Sequence, residues 1–448
     1  MRRREFLHTA LAAAPALLPA RMAFAADPVR QPIDVDWPRL AARPEKLAGM
    51  TLPELLADYR RRLFEQYLPF WDKGGYDRQR GGFLCELNDD GSVAADEKFI
   101  WYQGRAIWIY AFLYNEFGRD ARWLEIARRT RDFMLKHMYA GEGRWFEKVR
   151  ADGQLIEGLG RNVYGWLFAA AGLGEYYLST GNEEDWALAR QSILAAMQAY
   201  DAPTYCDTHT TLHTGLDIPS EGLRSQGHSM VLIGLLTRLL ARRPDARLEE
   251  LAVQHADCIL NRFWNPDYGI QNEYLGHDYG RLKGAAQHML TGHCVEALWM
   301  TMHDALRRKD QSAVDLCKNR IRRLLEMTWD HVFEGFGDGN FFVFGTDKQS
   351  RGPQFEVKTM WAHCEAMVAS LSVLEVTGEV WAQQWYERLR TYTLRTMPVT
   401  EHGVWRQAVD RYGKDLKRVG VSANRKDNFH QARYQMLNML CLQRMLAR

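Results

Sequence analysis

GHCVEALWM, Gly292–Met300, sets His293 and Glu296 three residues apart where the apolar positions have helical spacing. Both side chains therefore leave one face of a helix. Imidazole titrates near neutral pH, and a neighbouring carboxylate can orient the ring and hold its charged form. Similar polar clusters recur at one depth in other helical segments, and that recurrence decides the fold. From Thr51 onward the periodicity reads as helix over 51–71, 97–117, 121–138, 160–179, 183–200, 223–241, 246–262, 285–307, 311–332, 354–377, 380–396 and 427–447. Thr51-Leu52-Pro53-Glu54 opens the first with a cap, a proline and an acid at the third position. Gly181 and Gly378 are stops.

Loop lengths alternate along these segments. Each even-numbered helix is followed by a few residues, and each odd-numbered one by a long connection rich in glycine, aromatics and acids. Gly143–Glu147, Tyr268–Glu273 and Gly403–Arg406 read as short hairpins in these connections. The even helices recur every 57 to 70 residues, counted through Arg105, Asn162, His228, His293, His363 and His430. A repeating two-helix unit of this kind builds either an open solenoid or a closed ring. Six units favour closure into an all-α (α/α)6 barrel, with short β-hairpins rimming a pocket at the N-termini of the even helices. The organisation expected is a signal peptide over 1–25, a lead-in segment over 26–50 and one barrel domain over 51–448.

Bulk composition narrows the function. The chain is 46% hydrophobic with a formal charge of +2, which supplies a large core and no basic face for nucleic acid. No apolar run is long enough to span a bilayer. Arg3-Arg4-Glu5-Phe6-Leu7 fits a twin-arginine export signal, and Ala23-Phe24-Ala25 a cleavage site, which predicts a periplasmic protein. Cys85, Cys206, Cys258, Cys294, Cys317, Cys364 and Cys441 are odd in number and include no CxxC, so they read as buried small residues.

The chemistry-bearing residues fall in the first halves of the even helices. The second carries Lys98, Trp101, Gln103, Arg105 and Trp108, with Trp101, Arg105 and Trp108 on one stripe. That stripe reads either as a clamp for a hydroxyl-rich ligand or as a structural cation–π cluster. The fourth opens with Arg161, Asn162 and Tyr164, the sixth with Arg224, Ser225, Gln226 and His228. The eighth carries His288, His293 and Glu296, the tenth Lys358, Trp361, His363 and Glu365, the twelfth Asn428, His430 and Arg433. Helix N-termini hold partial positive charge, which favours a neutral imidazole base and a developing oxyanion. Two histidines across such a pocket suit proton abstraction next to a carbonyl. A glycosidase would need facing carboxylates, for which Asp72, Asp77, Glu86, Glu296 and Glu365 are available. A metal site finds only the loop-like His209/His213 pair and no HExxH.

Five stretches, in order, resemble the N-acylglucosamine 2-epimerase family. They are Asp77-x3-Gly81-Gly82-Phe83 with Asp89-Asp90-Gly91; Lys98-x2-Trp101-x-Gln103-Gly104-Arg105-x2-Trp108; His288-x3-Gly292-His293-x2-Glu296-Ala297; Lys358-x2-Trp361-x-His363-x-Glu365-Ala366; and Phe429-His430-x2-Arg433. The resemblance implies an (α/α)6 barrel and an isomerase acting at C2 of a hexose or N-acylhexosamine through a cis-enediolate. His293 and His430 would be the acid/base pair, with Glu296 orienting His293 and Arg105 polarising the carbonyl end of the sugar. Trp101, Trp108, Asn162, Tyr164, His228, His288, Trp361, His363, Glu365 and Arg433 would complete the substrate pocket. No metal or redox cofactor is implied. The expected partner is a small-molecule sugar, with no nucleic acid, no membrane after signal removal, and a homodimer as the oligomer to consider. Reprotonation at C1 would instead give a ketose. Isomerase and cellobiose-epimerase relatives often carry NxHxHxxEA on the sixth helix, whereas Gln226–Gly234 here lacks its second histidine and its glutamate.

Overall fold

The computed structural model describes residues 43–160, 162–205, 221–283, 289–337, 357–416 and 424–447. The stretch read as an export signal and most of the expected lead-in lie outside them. The end of the lead-in is a small hairpin, Lys46–Leu47 against Met50–Thr51. Among the described residues twelve long helices follow: α1 (Leu52–Arg61), α2 (Ile100–Glu116), α3 (Ala121–Met138), α4 (Tyr164–Thr180), α5 (Glu183–Tyr200), α6 (Gln226–Leu240), α7 (Ala246–Asp257), α8 (Thr291–Arg308), α9 (Gln311–Thr328), α10 (Met360–Thr377), α11 (Val380–Thr396) and α12 (His430–Ala447). The expected box caps α1: the Thr51 hydroxyl accepts from the Glu54 N–H, and Glu54 accepts from the Thr51 N–H at 2.8 Å. A box of this kind contributes about 1 kcal/mol. Gly181 and Gly378 end α4 and α10 in left-handed conformation, as expected.

Burial pattern sorts the helices into two rings. α4 buries every residue from Gly165 to Tyr176, and α10 buries all of Met360–Val376 except Trp361. Helices apolar on every side belong inside a protein. α3 and α9 bury single stripes, such as Ala313, Val314, Cys317, Ile321, Leu324 and Leu325 on α9, and form part of the outer layer. Successive even helices pack on one another, and α12 returns to α1 and α2, so the ring closes. Where α2 meets α4 the backbones touch. A Cβ on Gly104 would lie 2.2 Å from the Phe168 carbonyl oxygen, and one on Gly172 2.5 Å from that of Gly104. Any side chain at either position would force the helices apart. The six described cysteines are buried thiols, as expected.

Three even helices start later than their periodicity suggests, because a short strand precedes each. Glu97–Phe99 pairs with Arg144–Arg150, Leu223–Ser225 with Tyr274–Gly276, and Lys358–Thr359 with Ala408–Val409, all antiparallel. The loops at the barrel mouth are thus stitched in three pairs. In each first strand a cation sits two residues before the helix and reaches an aspartate from the loop before it. Lys98 Nζ meets Asp77 Oδ2 at 2.8 Å, Arg224 Nη1 meets Asp201 Oδ1 at 2.6 Å, and Lys358 Nζ meets Asp330 Oδ2 at 2.8 Å. Asp77 and Asp330 head the same turn, Asp-x4-Gly-Phe, with Gly82 and Gly335 both at positive φ.

Candidate active site

The first turns of α8 and α12 bring the two expected histidines to one pocket. His430 is the first residue of α12 and His293 the third of α8. Trp361 neighbours both, its ring 5.1 Å from His293 and 5.8 Å from His430, centroid to centroid. Gly292 makes this possible, since a Cβ there would lie 2.2 Å from Trp361 Cζ3. Gly227 does the same for Tyr164: its Cβ would sit 1.6 Å from Tyr164 Oη and 3.2 Å from His293 Cε1. Tyr164 is placed by Asn162, whose side-chain oxygen accepts from its N–H at 2.7 Å.

Each imidazole has a carboxylate on Nδ1. For His430 it is Asp427, at 2.8 Å, and for His293 it is Glu273, at 2.9 Å. This corrects the expectation for Glu296, which turns instead to Arg433. Asp427 also caps α12, accepting from the N–H groups of Phe429, His430 and Gln431. Burial alone would raise its carboxyl. The charges of His430 and Arg105 and those hydrogen bonds outweigh burial and hold it well below the usual carboxylate range. A carboxylate on Nδ1 fixes the tautomer and leaves proton exchange to Nε2. Neither partner was singled out from sequence. Asp427 had a signal, an acid three residues before a histidine at a helix start. Glu273 lies 20 residues from His293, across a hairpin, and had none.

Arg105 points its guanidinium across the site with no hydrogen-bond or ion-pair partner among the described residues. It rests on Phe168 at 4.2 Å and Phe429 at 5.0 Å, with Trp101 at 5.6 Å. Burial works against its charge, and Asp427 works for it. An arginine held on ring faces keeps its five donors for an external acceptor.

Other expected pocket residues serve the scaffold. His363 is fully buried, with Nδ1 2.6 Å from the Thr359 carbonyl and Nε2 accepting from the Phe336 N–H at 3.0 Å. Burial pushes it down to about 4, so it stays neutral. Gln103, at the matching place in α2, bonds the matching Phe83 N–H at 2.7 Å. His228 is fully buried, Nε2 2.9 Å from Tyr205 Oη, with its ring against Tyr164 at 4.4 Å. Trp108 lies a turn below Arg105, stacked on Phe112 at 4.6 Å. It lines a cavity of about 160 Å³ inside the lower barrel, bounded by Phe168, Trp299 and Phe429. Arg433 and Glu365 are buried and face each other at 2.8 Å. His288, and the His209/His213 pair, lie outside the described residues.

Side-chain ligand atoms of Glu296, Glu365 and His430 come within 4.8 Å of one another, a spacing a cation could use. Arg433 already touches both carboxylates and supplies that positive charge.

The family model for N-acylglucosamine 2-epimerase (GlcNAc 2-epimerase) matches residues 81–432. The N-acylglucosamine 2-epimerase of Mus musculus is 25% identical over 362 residues, 78% of this chain and 83% of that protein. The solved cellobiose 2-epimerase of Spirochaeta thermophila DSM 6192 has the same fold, with a TM-score of 0.73 at 18% identity over 88% of this chain and 98% of that one. A D-mannose isomerase follows with 0.66 at 15%, over 88% and 97%. With its closed ring of twelve helices and a match spanning most of its length, the chain belongs to the N-acylglucosamine 2-epimerase family.

Proposed function

We propose that the protein interconverts free reducing sugars epimeric at C2, with an N-acyl-D-glucosamine-type hexose as the preferred substrate. The observation that carries this is the pair His293 and His430, both in contact with Trp361 and each backed by its own carboxylate. Inversion at C2 needs a base on one face of the carbon and an acid on the other. The sugar ring opens, and Arg105 donates to the carbonyl oxygen. One imidazole takes the C2 proton through Nε2, and the electron pair moves onto the carbonyl to give an enolate, which is a cis-enediolate where C2 bears a hydroxyl. The other imidazole returns a proton to the opposite face of C2. Arg105 and the positive ends of α8 and α12 stabilise the oxyanion. Glu273 and Asp427 hold the rings and support the imidazolium that forms.

Aldose–ketose isomerisation is the second reading, supported by the likeness to a D-mannose isomerase. It differs only in where the enediolate is reprotonated, C1 instead of C2. A hydrolase on this architecture is less well supported, because Arg433 clasps Glu296 and Glu365, which are buried. The proposal extends to a single barrel domain over 51–448, which acts in the periplasm after twin-arginine export.

The test is a product assay. The enzyme is incubated with N-acetylglucosamine, mannose and cellobiose, and products are separated by chromatography. Accumulation of N-acetylmannosamine is the expected result. Fructose from mannose would favour the isomerase, and release of glucose from cellobiose would overturn both readings.

A further inference from the structure

Beneath the two histidines lies a cluster with more acid than its one base can neutralise. Arg433 uses a single nitrogen, Nη2, to contact both Glu296 Oε1 and Glu365 Oε1, the latter at 2.8 Å. Exposure is 2% for Glu296, 0% for Glu365 and 5% for Arg433, so water cannot screen the two acids from each other. Two carboxylates confined this closely do not both ionise.

We propose that the pair holds one proton at neutral pH, that Glu365 carries it, and that Glu365 is thereby a positioning residue which keeps one of the two histidines free to act as a base. This rests on the two-histidine reading.

The asymmetry between the acids is geometric. Both acids lie close to His430 and Arg433, but Glu296 takes the aligned hydrogen bond from Arg433 and shares a helix face with His293. Glu365 accepts from Trp299 Nε1 at 3.0 Å through Oε2, as a neutral acid's carbonyl oxygen would. Its Oε1 lies 2.8 Å from Arg433 Nη2 without the aligned hydrogen bond that Glu296 receives. Glu365 also occupies the place in α10 that Arg105 occupies in α2, seven residues after the staple lysine. The charges around it are Arg433, Glu296 and His430. The titration tendencies agree. Burial raises Glu365 above the ordinary carboxylate range. Glu296 feels the same burial, but Arg433, His430 and His293 pull it below.

The consequence is a charge balance. Glu273, Glu296 and Asp427 are three anions, and Arg105 and Arg433 are two cations. One imidazolium makes the site neutral, which leaves the other histidine as the base. An ionised Glu365 would call for a second imidazolium, and the site would have no base.

Infrared difference spectroscopy on the full-length protein reads the proton directly. The wild-type-minus-Glu365→Gln spectrum should show the carbonyl stretch of a protonated carboxylic acid, shifted in heavy water. The wild-type-minus-Glu296→Gln spectrum should show the paired bands of a carboxylate. Carboxylate bands in the first spectrum would overturn the proposal. This readout does not depend on turnover, so it stands apart from failure of the epimerase reading. In activity, Glu365→Ala should lower C2 proton exchange by about a hundredfold, and Glu365→Gln should recover most of it with the pH profile in place. A glutamine variant as poor as the alanine one, or with a displaced pH profile, would mean that Glu365 works as an anion.

Discussion

His430 is held by a residue that does two jobs. Asp427 caps α12 through one oxygen and binds the His430 ring through the other. Asp427→Asn keeps a cap acceptor but removes the charge that supports an imidazolium. Activity should fall by about two orders of magnitude while α12 stays folded, as read by circular dichroism. The same residue shapes acid stability. Its carboxyl is depressed in the folded state, so its contribution is complete above the unfolded carboxylate range and is lost as the pH falls. Thermal melts of Asp427→Asn should therefore depend less on pH in the acid range than those of the wild type. A steeper dependence would show that Asp427 is not ionised in the native state. At this scale the sequence was partly legible. His293, His430 and Arg105 fall in motifs and stand in the site. Glu273 and the clasp of Arg433 on Glu296 and Glu365 depend on contacts between distant segments, which local spacing does not encode.

The repeated staple explains residues that looked functional. Lys98, Arg224 and Lys358 recur because the strand before an inner helix must be tied to the loop before it. Lys98 and Lys358 are fully buried, and each is neutralised by one aspartate. Removing one partner of a buried pair leaves the other charge uncompensated, at a cost of about 3–5 kcal/mol. Lys358→Met should lower the midpoint of chemical denaturation accordingly, and Lys358→Met with Asp330→Asn should recover part of the loss. If the double variant is no more stable than the single one, the pair is not coupled as the geometry states. His363 belongs to the same device. It was read with the catalytic histidines because it shares their depth, yet its ring bonds Phe336 as Gln103 bonds Phe83. Depth along a helix was legible, but the direction in which the side chain points was not.

For the whole molecule, alternation of short and long connections was enough to give two rings, a mouth and the number of helices. Most helix boundaries fall within a few residues of those set by periodicity. Three inner helices begin in a short strand instead, because pairing with a neighbouring loop satisfies backbone groups that one more helical turn would also have satisfied. Among the described residues no helix is long and apolar enough to cross a membrane. The central claim is that the barrel gathers His293 and His430 to move the C2 proton of an open-chain sugar. It is tested most directly by running the reaction in heavy water and following C2 by NMR. The expected result is deuterium at C2 of the newly formed epimer, with neither His293→Ala nor His430→Ala giving epimer. Epimer formed with its C2 hydrogen retained throughout, or a single-histidine variant at full activity, would contradict it.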